Sequence, residues 1–379
     1  MSEVDVTIIG AGVVGLAIAV HLTAPGRRVF VLEKNRRAGE ETSSRNSQVI
    51  HSGIYYPLGT LKSRLCIAGN RLLYDWCETL HVPHRRIGKL ILAAEGQESD
   101  LLRLKANGEN GGVAGIQWLD RSYITALEPQ VCAQAALFVP ATGLVDAGTL
   151  VHRLVGALTA CEGDLIVGTR LIAAEPRSAG YRLTVQEADG ERFSYDSQVV
   201  INAAGLYADQ VAAMTGIDID AAGYRLHFAK GNYFSVQPAK ATLLSRPVYP
   251  LPERELAGLG IHATPDLDGR LRLGPDVEWL DESWRNYPTY TVDSAKHERF
   301  WQSVHRWLPA LDPTDLQAEM AGVRPKLQGP GEPVRDFVVR HEVDRGLIGW
   351  VNLIGIESPG LTASPALAAY VAQLLVDLL

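Results

Sequence analysis

The sequence predicts a mixed protein, α/β plus α+β, with a Rossmann-like nucleotide-binding domain interleaved with a mixed or antiparallel β-sheet domain. Three observations carry this expectation. A strand, a glycine-rich turn and a helix open the chain in "DVTIIGAGVVGLAIAVHL". Short apolar strands of the same kind recur near the middle and the end, in "SQVVINAAG" and "GWVNLIG". More β-rich, aromatic stretches lie between them. The expected division assigns residues 1–86, 146–220 and 326–379 to the nucleotide domain, and 87–145 and 221–325 to a substrate domain.

The elements follow in order. "DVTIIG" is an apolar strand, "VVGLAIAVHLTA" has helical spacing, and "RRVFVLEK" is a second strand entered through the Pro25-Gly26 turn. A helix is expected from Leu61 to about Leu80 and a strand in "GKLILAA", while Gly108 to Gly115 reads as a loop. "DAGTLVHRLVGALTACEG" is an amphipathic helix with Asp146 placed as its N-cap. "DLIVGTRLIAAE", "YRLTVQE" and "ERFSYDSQVVINAAG" alternate like a small antiparallel layer returning to a buried strand at Gln198–Asn202. From Tyr224 to about Pro275 several β-like runs are broken by Pro and Gly. A helix in "SAKHERFWQSVHRWL", two short strands and a last helix complete the chain. That helix carries an apolar seam at Leu367, Val371, Leu374 and Leu378.

Composition narrows the class. The 379 residues are 46% hydrophobic and 21% charged, ordinary for a soluble globular protein with a large core. A formal net charge of −7 argues against a nucleic-acid binder, although a local basic cluster can still hold an anion. Cys66, Cys77, Cys132 and Cys161 are scattered without metal-ligand spacing, so buried free thiols in a reducing, cytoplasmic setting are expected and no metal site is. The acidic start of "MSEVDVTIIG" does not resemble a signal peptide. The late apolar segment falls short of the ~20 residues that span a bilayer, which leaves peripheral membrane contact open.

The chemistry begins at Gly10-Ala11-Gly12-Val13-Val14-Gly15, a G-x-G-x-x-G between a strand and a helix. The first glycine makes the turn, the second admits a pyrophosphate, and the third lets helix and strand pack. The phosphates then meet the unpaired N–H groups at the helix start. Glu33 ends the second strand, where a carboxylate accepts ribose hydroxyls and disfavours a 2′-phosphate. "GEETSSRN" follows where a simple NAD enzyme would continue with another βα unit. Its Thr42, Ser43, Ser44 and Asn46 suit an extended cofactor. Ala204 and Gly205 end a buried strand closely enough for a cofactor to lie on. A helix starting near Pro359-Gly360 can aim the N–H groups of Gly360, Leu361 and Thr362 at an anion.

Together, Gly10/Gly12/Gly15 with Glu33, "TSSRNS", "NAAGLYAD", "GVRPKL" and "GIESPGLTAS" resemble the D-amino-acid-oxidase/glycine-oxidase superfamily of FAD enzymes. "NSQVIHSGIYYPLGTLKSRLC", "KGNYFSV" and "GIHATPDLDGRLRLGPDVEW" are more narrowly similar to its L-2-hydroxyglutarate dehydrogenase/oxidase branch. The resemblance covers nearly the whole chain. It implies non-covalent FAD, with Lys34, Gln48 and Leu171 joining the cofactor contacts. It also implies oxidation of a small carboxylate substrate at a carbon bearing OH or NH; the sequence leaves the electron acceptor open between oxygen, a quinone and another carrier. Arg324, in the matching G-x-R-P motif, is expected to clamp the substrate carboxylate. Lys326 is a candidate for a second carboxylate. His51 is the expected proton acceptor and His262 its rival. Tyr55, Tyr56 and Tyr233 are expected to wall the substrate or form plain aromatic core. An amine oxidase of the glycine/sarcosine type is the alternative enzyme, and a flavin-binding partner without turnover a third class.

Overall fold

The computed structural model describes residues 3–251 and 260–379. The part of the β-like stretch at 252–259 lies outside them. Among the described residues an eight-stranded sheet forms the nucleotide layer. Val4–Ile9 is parallel to Val29–Glu33 on one side and to the end of Arg192–Asn202 on the other. Asp164–Val167 extends the first side, and Trp350–Ile354 pairs parallel with residues 200–202. Two expectations change here. Asp164–Val167 joins the parallel sheet beside Val29–Glu33, while only Arg170–Arg177 and Gly180–Gln186 form the antiparallel layer. Its third member is one long strand, Arg192–Asn202, whose two halves serve both arrangements.

Val13–Leu22 is apolar all round except at His21, which is exposed, and such a helix has to be covered on nearly every side. It lies against the sheet, Ala147–Ala160 and the last helix, Gly360–Leu374. Leu16 and Ile18 are fully buried there, each contributing about 1.5–3 kcal/mol. Gly15 permits the close approach: a Cβ at this position would sit 2.0 Å from the Gly10 carbonyl oxygen. The Asp146 carboxylate caps its helix by accepting the Thr149 N–H at 2.8 Å. In the last helix Leu367 and Val371 are buried; the helix ends at Leu374, so Leu378 lies beyond it, yet Leu374 and Leu378 both pack against the same core.

The second sheet has nine strands among the described residues and is antiparallel except where Val248–Pro250 runs parallel to Leu90–Ala93. Its longest pairing joins His227–Val236 to Leu316–Lys326 and sets Arg324 opposite Ala229. A third, small sheet ties Val49–Ile50 to Gly143–Val145 and His84–Arg85.

Other departures have simple causes. Gly108 lies inside a helix, Glu98–Asn110, because its missing side chain lets Ile54 and Ile116 pack against the backbone. Of the four free thiols only Cys66 and Cys77 are buried; Cys132 and Cys161 are exposed. No described helix is long and apolar enough to cross a membrane, and no described cluster could hold a metal ion.

Candidate active site

The parallel strands end at one rim, where Gly10, Glu33 and Ala203 meet. At such a switch point, chains leave the central strand to opposite sides and open a crevice. A single cavity of about 1020 Å³ starts there, passes the Thr42–Gln48 loop and the start of the last helix, and ends against the second sheet. Gly10 adopts φ +104°, and a Cβ there would sit 2.6 Å from the Ala203 carbonyl oxygen.

The nucleotide end is tied together by short-range polar contacts. Glu33 is nearly buried; its carboxylate accepts the Ala11 N–H at 3.0 Å and the Asn35 N–H at 2.8 Å. Burial raises its pKa, and those two N–H groups oppose the rise. Ser43 Oγ accepts the Val13 N–H at the helix start, and Thr42 Oγ1 donates to the Val323 carbonyl, binding the loop to the first helix and to the second sheet. The Asn46 amide donates to the carbonyls of Thr42 and Ser43. Asn46 Oδ1 accepts the Gln48 N–H and so supports Gln48 at φ +57°.

Of the expected cofactor residues, Gly10, Gly12, Glu33, Thr42, Ser43, Asn46, Gln48, Ala204, Gly205, Gly360 and Leu361 line this cavity. Five do not. Gly15 lies beneath the turn as the packing glycine. Lys34 pairs with Glu41 at 2.6 Å, and Ser44 donates to the Glu41 carbonyl; both face a neighbouring hollow of about 540 Å³. Leu171 is buried in the core beside Leu32 and Val185, with its side chain away from the cleft. Thr362 is buried: its Oγ1 accepts the His51 N–H at 2.9 Å and donates to the Val49 carbonyl at 3.3 Å. Its side chain thus positions His51.

At the far end, His51, Tyr55, Tyr56, Tyr233, Tyr249, His262, Arg324 and Lys326 share the same cavity wall. Arg324 Nη2 donates to the Asp276 carbonyl at 2.7 Å and Nε to the Ala229 carbonyl at 3.4 Å. No described acid pairs with it, so its remaining N–H groups are available to an anion. Burial, aided by the Lys89 charge and His262, lowers His51 to about 3; burial, with Lys89 and Arg324, lowers His262 equally far. Both imidazoles are therefore neutral. His262 Nδ1 contacts the Gly260 carbonyl, which can only accept, so Nδ1 carries the hydrogen and Nε2 the lone pair. Tyr233 shares a 3.0 Å hydrogen bond with Ser47.

Lys326 departs from its expected role. Its ammonium contacts both oxygens of Glu357, at 2.8 and 2.9 Å, and Lys62 reaches the same carboxylate at 3.0 Å. Burial would raise Glu357, but the two ammoniums outweigh it and hold the carboxyl at about 2. Burial draws Lys326 downward against the pull of Glu357. Direct contact with a carboxylate held that low keeps Lys326 charged and occupied.

Because the folded Glu357 lies below its ordinary 4.5, the unfolded chain takes up the proton first. Its stabilisation is complete above the ordinary carboxylate range and fades as pH falls toward 2. Glu357→Gln should cost about 3–5 kcal/mol at neutral pH by leaving two buried ammoniums without their anion. It should also flatten the acid limb of a denaturant-midpoint profile. An unchanged limb would refute this role.

Sequence reasoning passed over Lys89, Tyr249, Glu357, Ser358 and Asp276. Glu357 and Ser358 sat within the quoted "GIESPGLTAS" but were read only as a helix entry. Lys89 and Tyr249 carry no local signal.

A family model described as FAD dependent oxidoreductase, DAO, matches residues 5–374. The chain belongs to the DAO family of FAD-dependent oxidoreductases. It is 35% identical to the mitochondrial L-2-hydroxyglutarate dehydrogenase of Arabidopsis thaliana, over 98% of this chain and 83% of that protein. It is 29% identical to the human mitochondrial enzyme of the same name, over 98% and 88%. Among solved structures, the FAD-bound L-alpha-glycerophosphate oxidase of Mycoplasma pneumoniae superposes with a TM-score of 0.84 at 26% identity, covering 98% and 94% of the two chains. FAD is the cofactor of this DAO-family chain, and the cleft fits it. The glycine turn exposes backbone at the helix start, and Glu33 lines the same rim and would hold the ribose. Among the described residues the Leu361 N–H at the start of Gly360–Leu374 has no backbone acceptor, whereas those of Gly360 and Ala363 go to the Glu357 and Pro359 carbonyls.

Proposed function

We propose that this enzyme oxidises a small 2-hydroxy acid, with L-2-hydroxyglutarate converted to 2-oxoglutarate as the favoured reaction. The observation that carries this reading is an acid-free guanidinium, Arg324, sharing a cavity wall with two neutral imidazoles, in one cleft with the nucleotide turn. The 35% identity to a plant enzyme named for that substrate supports the choice within the family. Bound FAD supplies the acceptor for the hydride released from C2.

The protein residues supply position and proton transfer. Arg324 offers a planar pair of donors that fixes the substrate carboxylate and with it the direction of the C2–H bond. The hydroxyl proton passes to a ring nitrogen of His51, whose backbone is held by Thr362 and Asn70. His262, with its free Nε2, is the second-ranked acceptor. The Leu361 N–H, which has no backbone acceptor among the described residues, would stabilise the negative charge that develops on the bound cofactor, while the Gly360 N–H is taken by the Glu357 carbonyl at 2.6 Å. FAD is read as non-covalently held, so acid denaturation should release it completely. The free thiols Cys66 and Cys77 fit a reducing compartment, which we read as the cytoplasm.

Anaerobic mixing with a substrate panel tests the assignment. L-2-hydroxyglutarate should bleach the flavin absorbance at far lower concentration than its D-isomer, glycine, sarcosine or glycerol 3-phosphate. Bleaching by the amines alone, or by glycerol 3-phosphate alone, would overturn it.

A further inference from the structure

Lys89 is fully buried, and its ammonium has no hydrogen-bond or ionic partner among the described residues. Its Nζ stands 4.3 Å from the centre of the Tyr55 ring and 4.7 Å from that of Tyr249. Both rings line the substrate end of the cavity, while Lys89 lies behind them. Tyr249 in turn stacks on His262 at 3.7 Å. The hydroxyls of Tyr55 and Tyr249 and the Nε2 of His262 are also buried without partners. Unsatisfied polar atoms therefore gather at one place, beside the site, and among the described residues the cluster contains no acid.

A lysine serving packing alone would be replaced with advantage by methionine, since an unpaired buried charge is costly. Two aromatic faces repay part of that cost. The remainder calls for an anion that arrives from outside. Arg324 is placed for one carboxylate, and Glu357 already neutralises Lys62 and Lys326, which among the described residues leaves Lys89 without a counter-charge at this end.

We propose that Tyr55, Tyr249 and Lys89 form the subsite for the distal carboxylate of a dicarboxylic substrate: the phenols donate to it and Lys89 supplies the opposing charge through their rings. A cation over the face of a phenol withdraws electron density and makes its O–H a better donor. The proposal rests on the 2-hydroxy-acid reading and adds the feature that selects a five-carbon diacid over a mono-acid.

The subsite has a protonic signature. Burial lowers Lys89 to about 7, with the nearby Cys66 thiol opposing. The other titratable groups facing it are neutral there: burial pushes Tyr55, Tyr249 and Cys66 up, and His51 and His262 down. The Arg324 guanidinium acts on His262 from the second sheet. An arriving carboxylate restores the Lys89 proton, so a diacid should draw a proton from solution near neutral pH and a mono-acid should not.

Calorimetry on the FAD-loaded enzyme, titrated with glutarate and with butyrate in buffers of different ionisation enthalpy, reads this directly. Glutarate should bind with uptake of a fraction of a proton that grows as pH rises through neutrality, and butyrate with none. In Lys89→Met, the kcat/KM ratio of L-2-hydroxyglutarate over L-2-hydroxybutyrate should fall by roughly tenfold or more, as for one lost charge-assisted contact. Equal proton uptake for the two acids overturns the proposal even where Lys89→Met fails to fold. So does an unchanged ratio in flavin-loaded Lys89→Met. Failure of both hydroxy acids to reduce the wild-type flavin would instead refute the 2-hydroxy-acid reading itself.

Discussion

Arg324→Ala should lower kcat/KM for L-2-hydroxyglutarate by roughly a hundred- to several-thousand-fold, with flavin content unchanged. A guanidinium that grips a carboxylate with two charge-assisted hydrogen bonds loses on the order of 3–5 kcal/mol when removed, at about 1.4 kcal/mol per factor of ten. The strand pairing that sets Arg324 opposite Ala229, with the Asp276 carbonyl taking one N–H, holds the rest of the fork toward the cavity. Arg324→Lys keeps the charge but not the planar fork, and should recover only part of the loss. Stopped-flow reduction as a function of substrate concentration checks both. Activity within threefold of wild type for Arg324→Ala would mean that the carboxylate is held elsewhere.

His51→Asn should slow flavin reduction by roughly 10²- to 10⁴-fold, the usual contribution of a positioned base, with a smaller change in substrate affinity. His262→Asn should cost less than about tenfold by the same measure; the reverse order would transfer the role to His262. A pH signature accompanies this. With the folded His51 at about 3, below its ordinary 6.5, the imidazole stays unprotonated well into acid. On its account kcat/KM should stay level from neutral pH down to about 5. A protonation limb near 6.5 in the wild-type profile, abolished in His51→Asn, would contradict the buried, neutral state described above.

The nucleotide end was legible because its requirements are local. Gly10, Gly12 and Gly15 answer to one turn, and Glu33 ends the strand beside it, so spacing along the chain suffices. The first and last helices were legible from their apolar patterns, although the end of the last was not, since fraying after Leu374 depends on what lies beneath it. At the substrate end, types and motifs brought His51, His262, Tyr233 and Arg324 to one wall. Pairing was invisible there. Lys326 looked free because Glu357 approaches it only after the two sheets meet, 31 residues along the chain. Lys89 looked like an ordinary charged residue before "LILAA", and only the tertiary arrangement encloses it between rings from residues 55 and 249. The exposure of Cys132 and Cys161, and the helical setting of Gly108, belong to the same class of facts. They are decided by what packs against a residue, which its neighbours in sequence do not disclose.

The flank of Val13–Leu22 is covered by Gly360–Leu374, and the Arg192–Asn202 strand borders Trp350–Ile354. During synthesis on the ribosome, the phosphate turn and its helix are made more than three hundred residues before the helix that covers them. Domains that fold as they are translated complete their cores early. Here the nascent chain must carry an unfinished, greasy surface until Gly360–Leu374 has emerged, and only then can the crevice take up the vitamin-derived ring.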